Sequence, residues 1–338
     1  MNDFNSGVNL GGWLSQYPAY QEEHFQTFIT EKDFAQLAAW KLDHLRLPVD
    51  YPVIEANEAG LHYLDQALIW AKKYDLNLIL DLHHAPGFVF HSPQNSKLFS
   101  DLVYEERFLK IWQMLATRYA NEGESLIFEL LNEVVLPEST PWNKLAQKTV
   151  SAIRQIDPTR KIIIGSNNYG SLHHLKELEM VDDPHLIYTF HFYEPMYFTH
   201  QKASWMPSLN ESFHYPGTAD ALIKIIDTIK QSHPEMVTTN ILGFEKYLGK
   251  KLDHHLLEEE LAPALEFITK TGKPLYCGEY GVIDNVPLES RIKWQRDLVA
   301  IFRELKIGRA CWTYKGLNFS LTDQHGAPIS EALISSLR

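Results

Sequence analysis

The sequence predicts an α/β protein: a (β/α)8 TIM barrel with a helical subdomain inserted after the sixth strand. Eight short apolar runs end in polar residues or glycine, and longer amphipathic segments separate them. Buried parallel strands have short continuous apolar sequences of this kind, and their alternation with helices is typical of a parallel barrel. The length of 338 residues suits one such domain, so we expect residues 1–338 to form a single barrel.

The predicted strands follow one another at intervals that leave room for a helix after most of them. In chain order they are 8–10, 44–47, 78–81, 126–130, 162–164, 186–190, 275–278 and 309–312. The helical segments between them include 30–40, 61–73, 108–119, 142–156 and 291–305. The first of these helices begins with Thr30 and Asp33 at the spacing of a capping box. The second has an apolar face, which we assign to Leu61, Leu64, Leu68 and Ile69.

One connection is too long for a simple helical crossover. The sixth and seventh predicted strands are separated by more than eighty residues, as the printed sequence shows. We therefore predict an inserted subdomain at 199–256, rich in histidine and aromatic residues, with a helix near 219–231. Because loops after barrel strands lie on the face that carries active sites, this insert is expected to wall or cover a cleft there. A surface excursion without a role is the alternative.

Composition excludes several classes of protein. Hydrophobic residues make up 45% and charged residues 22%, which favours a large core over disorder. The formal net charge of −12 argues against nucleic acid as a partner, since phosphate binding needs lysine and arginine. Two cysteines, Cys277 and Cys311, imply no disulfide framework and fit a reducing compartment. We see neither a signal peptide nor a membrane span, and expect a cytoplasmic monomer or weak oligomer.

Polar residues gather where the predicted strands end. In a barrel these positions point into the active site, and buried polar side chains are costly unless they are paired or functional. The residues at or just beyond the strand ends are Arg46, Asp81, His83, Asn132, Glu133, His191, Tyr193, Glu279 and Trp312. This concentration of polar groups after apolar strands indicates a site for chemistry.

Two of these residues, Glu133 and Glu279, have the character of a catalytic carboxyl pair. They follow the fourth and seventh predicted strands, which lie on roughly opposite sides of an eight-stranded barrel, so their side chains can converge across its mouth. Cleavage of a glycosidic bond needs this arrangement, in which one carboxyl protonates the leaving oxygen and the other serves the anomeric carbon. A separation of about 5–5.5 Å indicates a retaining reaction.

The neighbours of the pair suggest which carboxyl does what. Arg46 is the expected partner of Glu279 and should keep it ionised, as a nucleophile requires. The pKa of Glu133 should instead be raised by nearby negative charge, which suits an acid. Asn132 is placed to bind a sugar hydroxyl, and Tyr193 to donate a hydrogen bond to the nucleophile.

The remaining predicted site residues are aromatic or histidine side chains that flank the carboxyl pair. Side chains alternate along extended chain, so His83 should face the pocket while His84 packs behind it. His191 should face the pocket for the same reason, and Trp312 could lie under the reacting sugar. Each of these residues, taken singly, is more often structural.

The ordered motifs resemble those of glycoside hydrolase family 5 over nearly the whole chain. The segments that carry the resemblance are 7–13 (GVNLGGW), 44–48 (HLRLP), 81–87 (DLHHAPG), 131–133 (LNE), 191–193 (HFY), 278–281 (GEYG) and Trp312. Segments 190–195 and 198–203 look like the bacterial endoglucanase C-type β-glucanases of this family.

That resemblance implies an endo-acting, retaining enzyme for β-1,4 and mixed-linkage β-1,3/1,4 glucans or gluco-oligosaccharides, with no metal or cofactor. It also implies that the eight predicted site residues line the subsite of the reacting sugar: Arg46, His83, Asn132, Glu133, His191, Tyr193, Glu279 and Trp312.

Three alternatives remain open on the sequence. An exo-acting β-glucosidase or β-1,3-glucanase, or a mannanase, would use the same fold with different loops. A metal-dependent barrel hydrolase is suggested by paired histidines at 83–84, 173–174 and 254–255, although the first strand ends in residues that supply no ligand. A non-catalytic sugar-binding protein would be expected to lack the two carboxylates, and both are present.

Overall fold

The chain folds into a closed barrel of eight parallel strands, as predicted. The structure is a computed structural model that describes residues 4–206, 208–232 and 242–338. The barrel strands are Ser6–Asn9, His44–Asp50, Asn77–His84, Leu126–Glu129, Ile162–Gly165, Leu186–Phe192, Leu275–Tyr280 and Gly308–Cys311. Each overlaps a predicted strand, so the short apolar runs were sufficient to locate the whole sheet.

The strands pair in chain order, and the first strand closes the barrel by pairing with the eighth. Val8 lies opposite Leu45 on one side and Cys311 on the other. Side chains that point inward fill the barrel below its mouth with a buried apolar layer, which comprises Phe4, Ile79, Ile127, Ile163, Ile187, Tyr276 and Ala310. This filling makes the barrel interior a packed core and leaves its carboxyl end as the place for a site.

Helices surround the barrel and pack their apolar faces on the outside of the sheet. The described α-helices are Glu22–Thr27, Glu31–Ala39, Tyr51–Glu55, Glu58–Lys73, Leu102–Arg118, Thr140–Arg154, Asn167–Gly170, Met196–Thr199, Leu222–Ser232, Leu242–Glu245, His254–Thr271, Leu288–Glu304 and Glu331–Ser335. Single 3-10 turns lie at Pro93–Asn95 and Gly123–Ser125, and a longer one at Leu172–Glu177. None of the helices among the described residues is long and apolar enough to cross a membrane.

Helix Glu58–Lys73 shows where the sequence pattern was misread. Leu61, Leu64 and Leu68 are buried as predicted, but Ile69 is 55% exposed, so its assignment to the apolar face is wrong. At 100° per residue, the buried arc of this helix extends from Leu61 toward the side of Tyr63 and Ala67, which is away from Ile69. Ile69 lies on the flank of the apolar stripe that faces solvent, whereas the flank with Tyr63 and Ala67 faces the core.

The predicted capping box at Thr30 is present. The backbone N–H of Thr30 donates to Oδ2 of Asp33 over 2.7 Å, and the N–H of Asp33 donates to the carbonyl of Thr30. These bonds satisfy groups that a helix start leaves free, and they fix the beginning of helix Glu31–Ala39.

Between the sixth and seventh strands, the described residues form several short elements and the longer helix His254–Thr271. Helix Leu222–Ser232 corresponds to the predicted helix at 219–231, and Gly217–Thr218 pairs antiparallel with Lys251–Leu252. Pro207 and residues 233–241 lie outside the described residues. The bounds 199–256 of a separate subdomain within the single domain 1–338 stay a prediction.

The two ends of the described chain meet at the bottom of the barrel. The Ser6 hydroxyl, at the start of the first strand, donates to the carbonyl of Leu337 over 2.7 Å. Arg309, at the start of the eighth strand, donates to the same carbonyl over 2.9 Å. The carboxyl-terminal segment is thereby fixed at the strand starts, at the end of the barrel opposite to the polar strand ends.

Candidate active site

A cleft of about 750 Å³ opens at the carboxyl ends of the strands. Its lining includes seven of the eight predicted site residues, namely His83, Asn132, Glu133, His191, Tyr193, Glu279 and Trp312. The eighth, Arg46, is completely buried and lies beneath the cleft in contact with Glu279. Residues from six strands or the loops that follow them thus converge on one site.

The strands deliver these side chains by alternation. Along the third strand, Ile79 belongs to the interior apolar layer, and each two-residue step toward the mouth places the next inward side chain. Those steps reach Asp81 and then His83, which is 1% exposed. His84 points elsewhere, and its Nδ1 atom lies 2.8 Å from Oδ1 of Asp50. The expected division between the two histidines is what the structure shows.

Three strand boundaries differ from the prediction. The fourth strand ends at Glu129, so Glu133 lies four residues beyond it, on the following loop. The seventh strand continues to Tyr280 and contains Glu279, while Trp312 follows the last residue of the eighth strand. The reason is that hydrogen bonding to neighbouring strands, which an apolar run does not reveal, determines where each strand ends.

The two predicted catalytic carboxyl groups lie close together. One carboxyl oxygen of Glu133 and one of Glu279 are within 4.8 Å of each other. His191 lies between them, with its Nδ1 atom 2.8 Å from Oε1 of Glu133 and 3.6 Å from Oε2 of Glu279. Residues 146 positions apart in the printed sequence are therefore brought to opposite sides of one small space.

Arg46 contacts Glu279 as predicted, but it contacts four other polar side chains as well. Its Nη1 atom donates to Oε1 of Glu279 over 2.9 Å. The remaining hydrogen-bond acceptors are Asn9 Oδ1 at 2.8 Å, Glu129 Oε2 and Oε1 at 2.7 and 2.9 Å, and Asn132 Oδ1 at 2.8 Å. Asp81 Oδ2 forms an ion pair with Nη2 at 3.0 Å. Every nitrogen of the guanidinium is thus engaged, so Arg46 is held in a single position.

Sequence reasoning missed Glu129 and Asn9 as parts of this network. Both are fully buried. A usable signal existed for Glu129, because it follows the inward-facing Ile127 by two residues and must point into the barrel too. Asn9 ends the first strand, and its amide donates to the carbonyls of Gly278, Ala310 and Cys311. Its role depends on barrel closure, which has no local sequence signature.

Glu279 receives a second donor. The Tyr193 hydroxyl donates to Oε2 of Glu279 over 2.9 Å, as predicted. Together with Arg46 on Oε1, this gives each oxygen of Glu279 a hydrogen-bond donor. Glu133 has no such pair, since among the described residues its hydrogen-bond contact is with His191 alone. The two carboxyls therefore have unequal surroundings, and the carboxylate form is better stabilised at Glu279.

Burial dominates the pKa values of the pair. It raises the pKa of Glu133 to about 8, with Asp81 contributing in the same direction and Arg46 opposing. The direction is the predicted one, but the expected main cause, neighbouring negative charge, is secondary to desolvation. Burial also raises the pKa of Glu279, against the lowering effects of His191, Arg46 and the Tyr193 hydrogen bond. Arg46 lowers the pKa of Glu279 as expected, but burial is the larger effect and the net shift is upward.

Trp312 and His83 form the aromatic part of the site. Their rings are nearly parallel, with an interplanar angle of 6° and centroids 5.6 Å apart. Trp312 is 6% exposed and lines the cleft, which fits a surface on which the apolar face of a sugar ring can rest. Trp205, from the segment predicted as an insert, also lines the cleft and is 52% exposed.

The paired histidines do not assemble a metal centre. Among the described residues, the one group of potential ligands close enough for a metal ion is Glu133, His191 and Glu279. The His191 nitrogen of this group already bonds Glu133, and the Arg46 guanidinium lies 2.9 Å from Glu279. A fixed positive charge at that distance disfavours a bound cation, so the residues present do not fit a catalytic metal.

Comparison with known proteins gives a consistent result. A family model described as "Cellulase (glycosyl hydrolase family 5)" matches residues 3–318. Endoglucanase C from Acetivibrio thermocellus is 46% identical, over 100% of this chain and 98% of its own length. Cellodextrinase A from Ruminococcus flavefaciens is 33% identical, over 90% and 84% respectively. The structure of Thermotoga maritima Cel5A in complex with cellobiose has a TM-score of 0.75 at 25% identity, covering 100% of this chain and 98% of that one.

Proposed function

Because the chain belongs to glycosyl hydrolase family 5, we propose that it is a retaining endo-β-glucanase with Glu279 as nucleophile and Glu133 as acid/base. The predicted family and the predicted barrel are confirmed, and the enzyme is a glycoside hydrolase. Its proposed substrates are β-1,4 and mixed-linkage β-1,3/1,4 glucans, or the cello-oligosaccharides derived from them.

The proximity of the two carboxyl oxygens carries the proposal of retention. They lie within 4.8 Å of each other, whereas an inverting enzyme needs about 6.5–9.5 Å to admit a water molecule behind the sugar. Retaining enzymes have their carboxyls about 5–5.5 Å apart, so that the nucleophile itself reaches the anomeric carbon. The spacing in this cleft supports the second arrangement.

In the first step, a carboxylate oxygen of Glu279 attacks the anomeric carbon while the glycosidic bond breaks. Glu133, kept protonated by its raised pKa, gives its proton to the departing glycosidic oxygen. In the second step Glu133, now ionised, takes a proton from a water molecule that displaces Glu279 and releases the sugar. Arg46 and Tyr193 stabilise the leaving Glu279 carboxylate through their hydrogen bonds.

Two observations support a glucan substrate and internal cleavage. The relative with 46% identity over the full chain is named an endoglucanase, and the related structure at 25% identity is named as a complex with cellobiose. The name of the 33% identical relative, cellodextrinase A, favours soluble cello-oligosaccharides as a second class of substrate. The relative rates on glucan polymers and on cello-oligosaccharides distinguish the two classes of substrate.

The test is to incubate the protein separately with lichenan, carboxymethylcellulose, laminarin, mannan and cello-oligosaccharides. We expect a rapid fall in viscosity of the first two polymers and a β-anomer as the first product in the NMR spectrum. Release of glucose from chain ends without loss of viscosity would replace the endo-acting proposal by an exo-acting one. An α-anomer as first product would refute retention.

A further inference from the structure

Gln16 lines the cleft together with seven of the eight predicted site residues. Its Nε2 atom is 2.8 Å from Nε2 of His83. We propose that Gln16 is a substrate-binding residue, whose Oε1 atom accepts a hydrogen bond from one hydroxyl of the bound glucan. This inference rests on the proposed function, since it names a contact made by the same substrate.

The first step concerns the position of the proton on His83. Its Nδ1 atom lies 2.7 Å from Oδ2 of Asp81. The same oxygen forms an ion pair with Nη2 of Arg46 at 3.0 Å. Burial raises the pKa of Asp81 to about 7, but the Arg46 charge favours its carboxylate form, in which Oδ2 accepts. Nδ1 of His83 therefore carries the proton. Burial holds the pKa of His83 well below its usual range, so the ring is neutral and its Nε2 atom is an acceptor.

The second step concerns the orientation of the amides that face Nε2 of His83. An acceptor must face a donor, so the NH2 group of Gln16 points to His83. The amide of Asn132 gives an independent check, because its Oδ1 accepts from Arg46 over 2.8 Å and its Nδ2 lies 3.4 Å from the same His83 nitrogen. One N–H of Gln16 is directed at His83, and its Oε1 has no hydrogen-bond partner among the described residues.

The third step concerns the backbone that supports Gln16. Its φ of +55° is in the left-handed region, which few residues other than glycine adopt. Asp50 stabilises this conformation, since its carboxylate accepts from the Ser15 hydroxyl over 2.7 Å and from the Gln16 N–H over 3.4 Å. The backbone N–H of Asp50 donates to the carbonyl of Leu14. Residues held in such conformations by their surroundings are found more often at active sites and ligand clamps than elsewhere.

These steps define the ligand chemistry. The neutral acceptor of Gln16 lies next to the stacked rings of His83 and Trp312, where a sugar ring would rest. A carbonyl oxygen at the edge of such a surface is suited to a hydroxyl donor of the sugar. The contact would therefore favour a sugar unit whose hydroxyl points at Gln16 over a sugar that lacks this hydroxyl or carries it in another orientation.

The experiment is a double-mutant cycle between Gln16→Leu and the substrate. Kinetics are measured with an aryl β-cellobioside and with a series of its monodeoxy analogues, each of which lacks one hydroxyl. We expect Gln16→Leu to lower kcat/KM about tenfold on the parent substrate, the size of one neutral hydrogen bond. For the wild type, kcat/KM on one analogue should be about tenfold lower than on the parent substrate. For the Gln16→Leu variant, kcat/KM should be the same on that analogue and on the parent.

The matched control is Gln36→Leu. Gln36 also donates through Nε2, to the Tyr314 hydroxyl and the Gly326 carbonyl, but it is outside the cleft lining. The Gln36→Leu variant should show the same relative rates on every deoxy analogue as the wild type. Equal additional losses on all analogues in Gln16→Leu would overturn the inference, because a purely structural residue affects every substrate alike. Failure of the proposed function is distinct, since the wild type itself would then not cleave the parent compound.

Discussion

The Nη1 atom of Arg46 lies 2.9 Å from Oε1 of Glu279, and both side chains are almost completely buried. A guanidinium at that distance stabilises the ionised form of Glu279 against the cost of burial. Glu133 has no cation in hydrogen-bond contact among the described residues, and burial raises its pKa to about 8. The difference between the two carboxyls follows from which of them reaches Arg46, and it underlies the predictions below.

Replacing the proposed nucleophile should abolish turnover without unfolding the protein. Glu279→Ala removes the group that forms the covalent intermediate, and we expect kcat to fall at least about 10⁴-fold, while the circular dichroism spectrum stays that of the wild type. Azide should partly restore cleavage of an aryl glycoside, because the small anion can occupy the vacated space and attack from the same side. Wild-type turnover by this variant would remove Glu279 from its role.

Replacing the proposed acid should have an effect that depends on the leaving group. Glu133→Gln cannot donate a proton, so hydrolysis of natural glucans should fall about 10²–10⁴-fold. The first step on a dinitrophenyl glycoside should be far less affected, because its leaving group needs no proton. The check is the burst of dinitrophenol compared with the rate on cello-oligosaccharides. Equal losses on both substrates would contradict the assignment.

The pH dependence of activity should have a descending limb near pH 8. Glu133 must be protonated to act as an acid, and burial raises its pKa to about 8, so kcat/KM should fall as pH rises through that value. Glu279 must be ionised, and its pKa is raised above the usual 4.5. The ascending limb is therefore expected above pH 4.5. The measurement is kcat/KM for a soluble substrate from pH 4 to 10.

The same shift predicts how Glu133 affects stability. Because its pKa is higher in the folded state, its contribution favours folding fully below about pH 4.5 and is lost as pH rises to about 8. Glu133→Gln removes a carboxyl that loses its proton at lower pH in the unfolded chain than in the folded protein, so the variant does not undergo this loss of stability. We expect the melting temperature of this variant to exceed that of the wild type by more at pH 8 than at pH 4.5. An unchanged difference across this range would argue against a buried neutral Glu133.

Glu129 is expected to matter for stability because it forms a two-bond ion pair with Arg46 inside the barrel. Glu129→Ala leaves that buried guanidinium undercompensated and should cost about 3–5 kcal/mol of unfolding free energy, measured by chemical denaturation. Glu124→Ala is the control, since Glu124 is 85% exposed and pairs with Lys161 at the surface. The control should change stability by less than about 1 kcal/mol.

Chelation should leave the activity unchanged. The potential ligands Glu133, His191 and Glu279 bond one another or Arg46, and the proposed mechanism uses them as acid, positioning group and nucleophile. We expect kcat on lichenan to be the same before and after dialysis against EDTA. A loss of rate that Zn²⁺ restores would favour the metal-dependent alternative.

The sequence was sufficient for the parts of the fold that depend on local pattern. Continuous apolar runs located the barrel strands, and the polar residues that follow them identified the cleft side chains, because a parallel barrel always presents its strand ends at one face. Ile69 shows the limit of this reasoning. A helical stripe has two flanks, and only the packing of neighbouring elements decides which of them is buried.

The contacts beneath the cleft could not be predicted in the same way. The sequence pairs Arg46 with Glu279 alone, whereas two of its hydrogen bonds go to Glu129, on a strand two positions away around the barrel. Which acceptors reach a buried arginine depends on barrel closure and register. Gln16 was overlooked for a related reason, because its position depends on a left-handed residue held by Asp50 from the next strand.

The hydrogen bond between Ser6 and Leu337 has a practical consequence for immobilising the enzyme. Both ends of the described chain emerge at the base of the barrel, a full strand length from the mouth where glucan would enter. A tether attached at either end would hold the molecule on a bead or a scaffold with its opening turned outward. Immobilised in that orientation, the catalyst should keep access to long polymers.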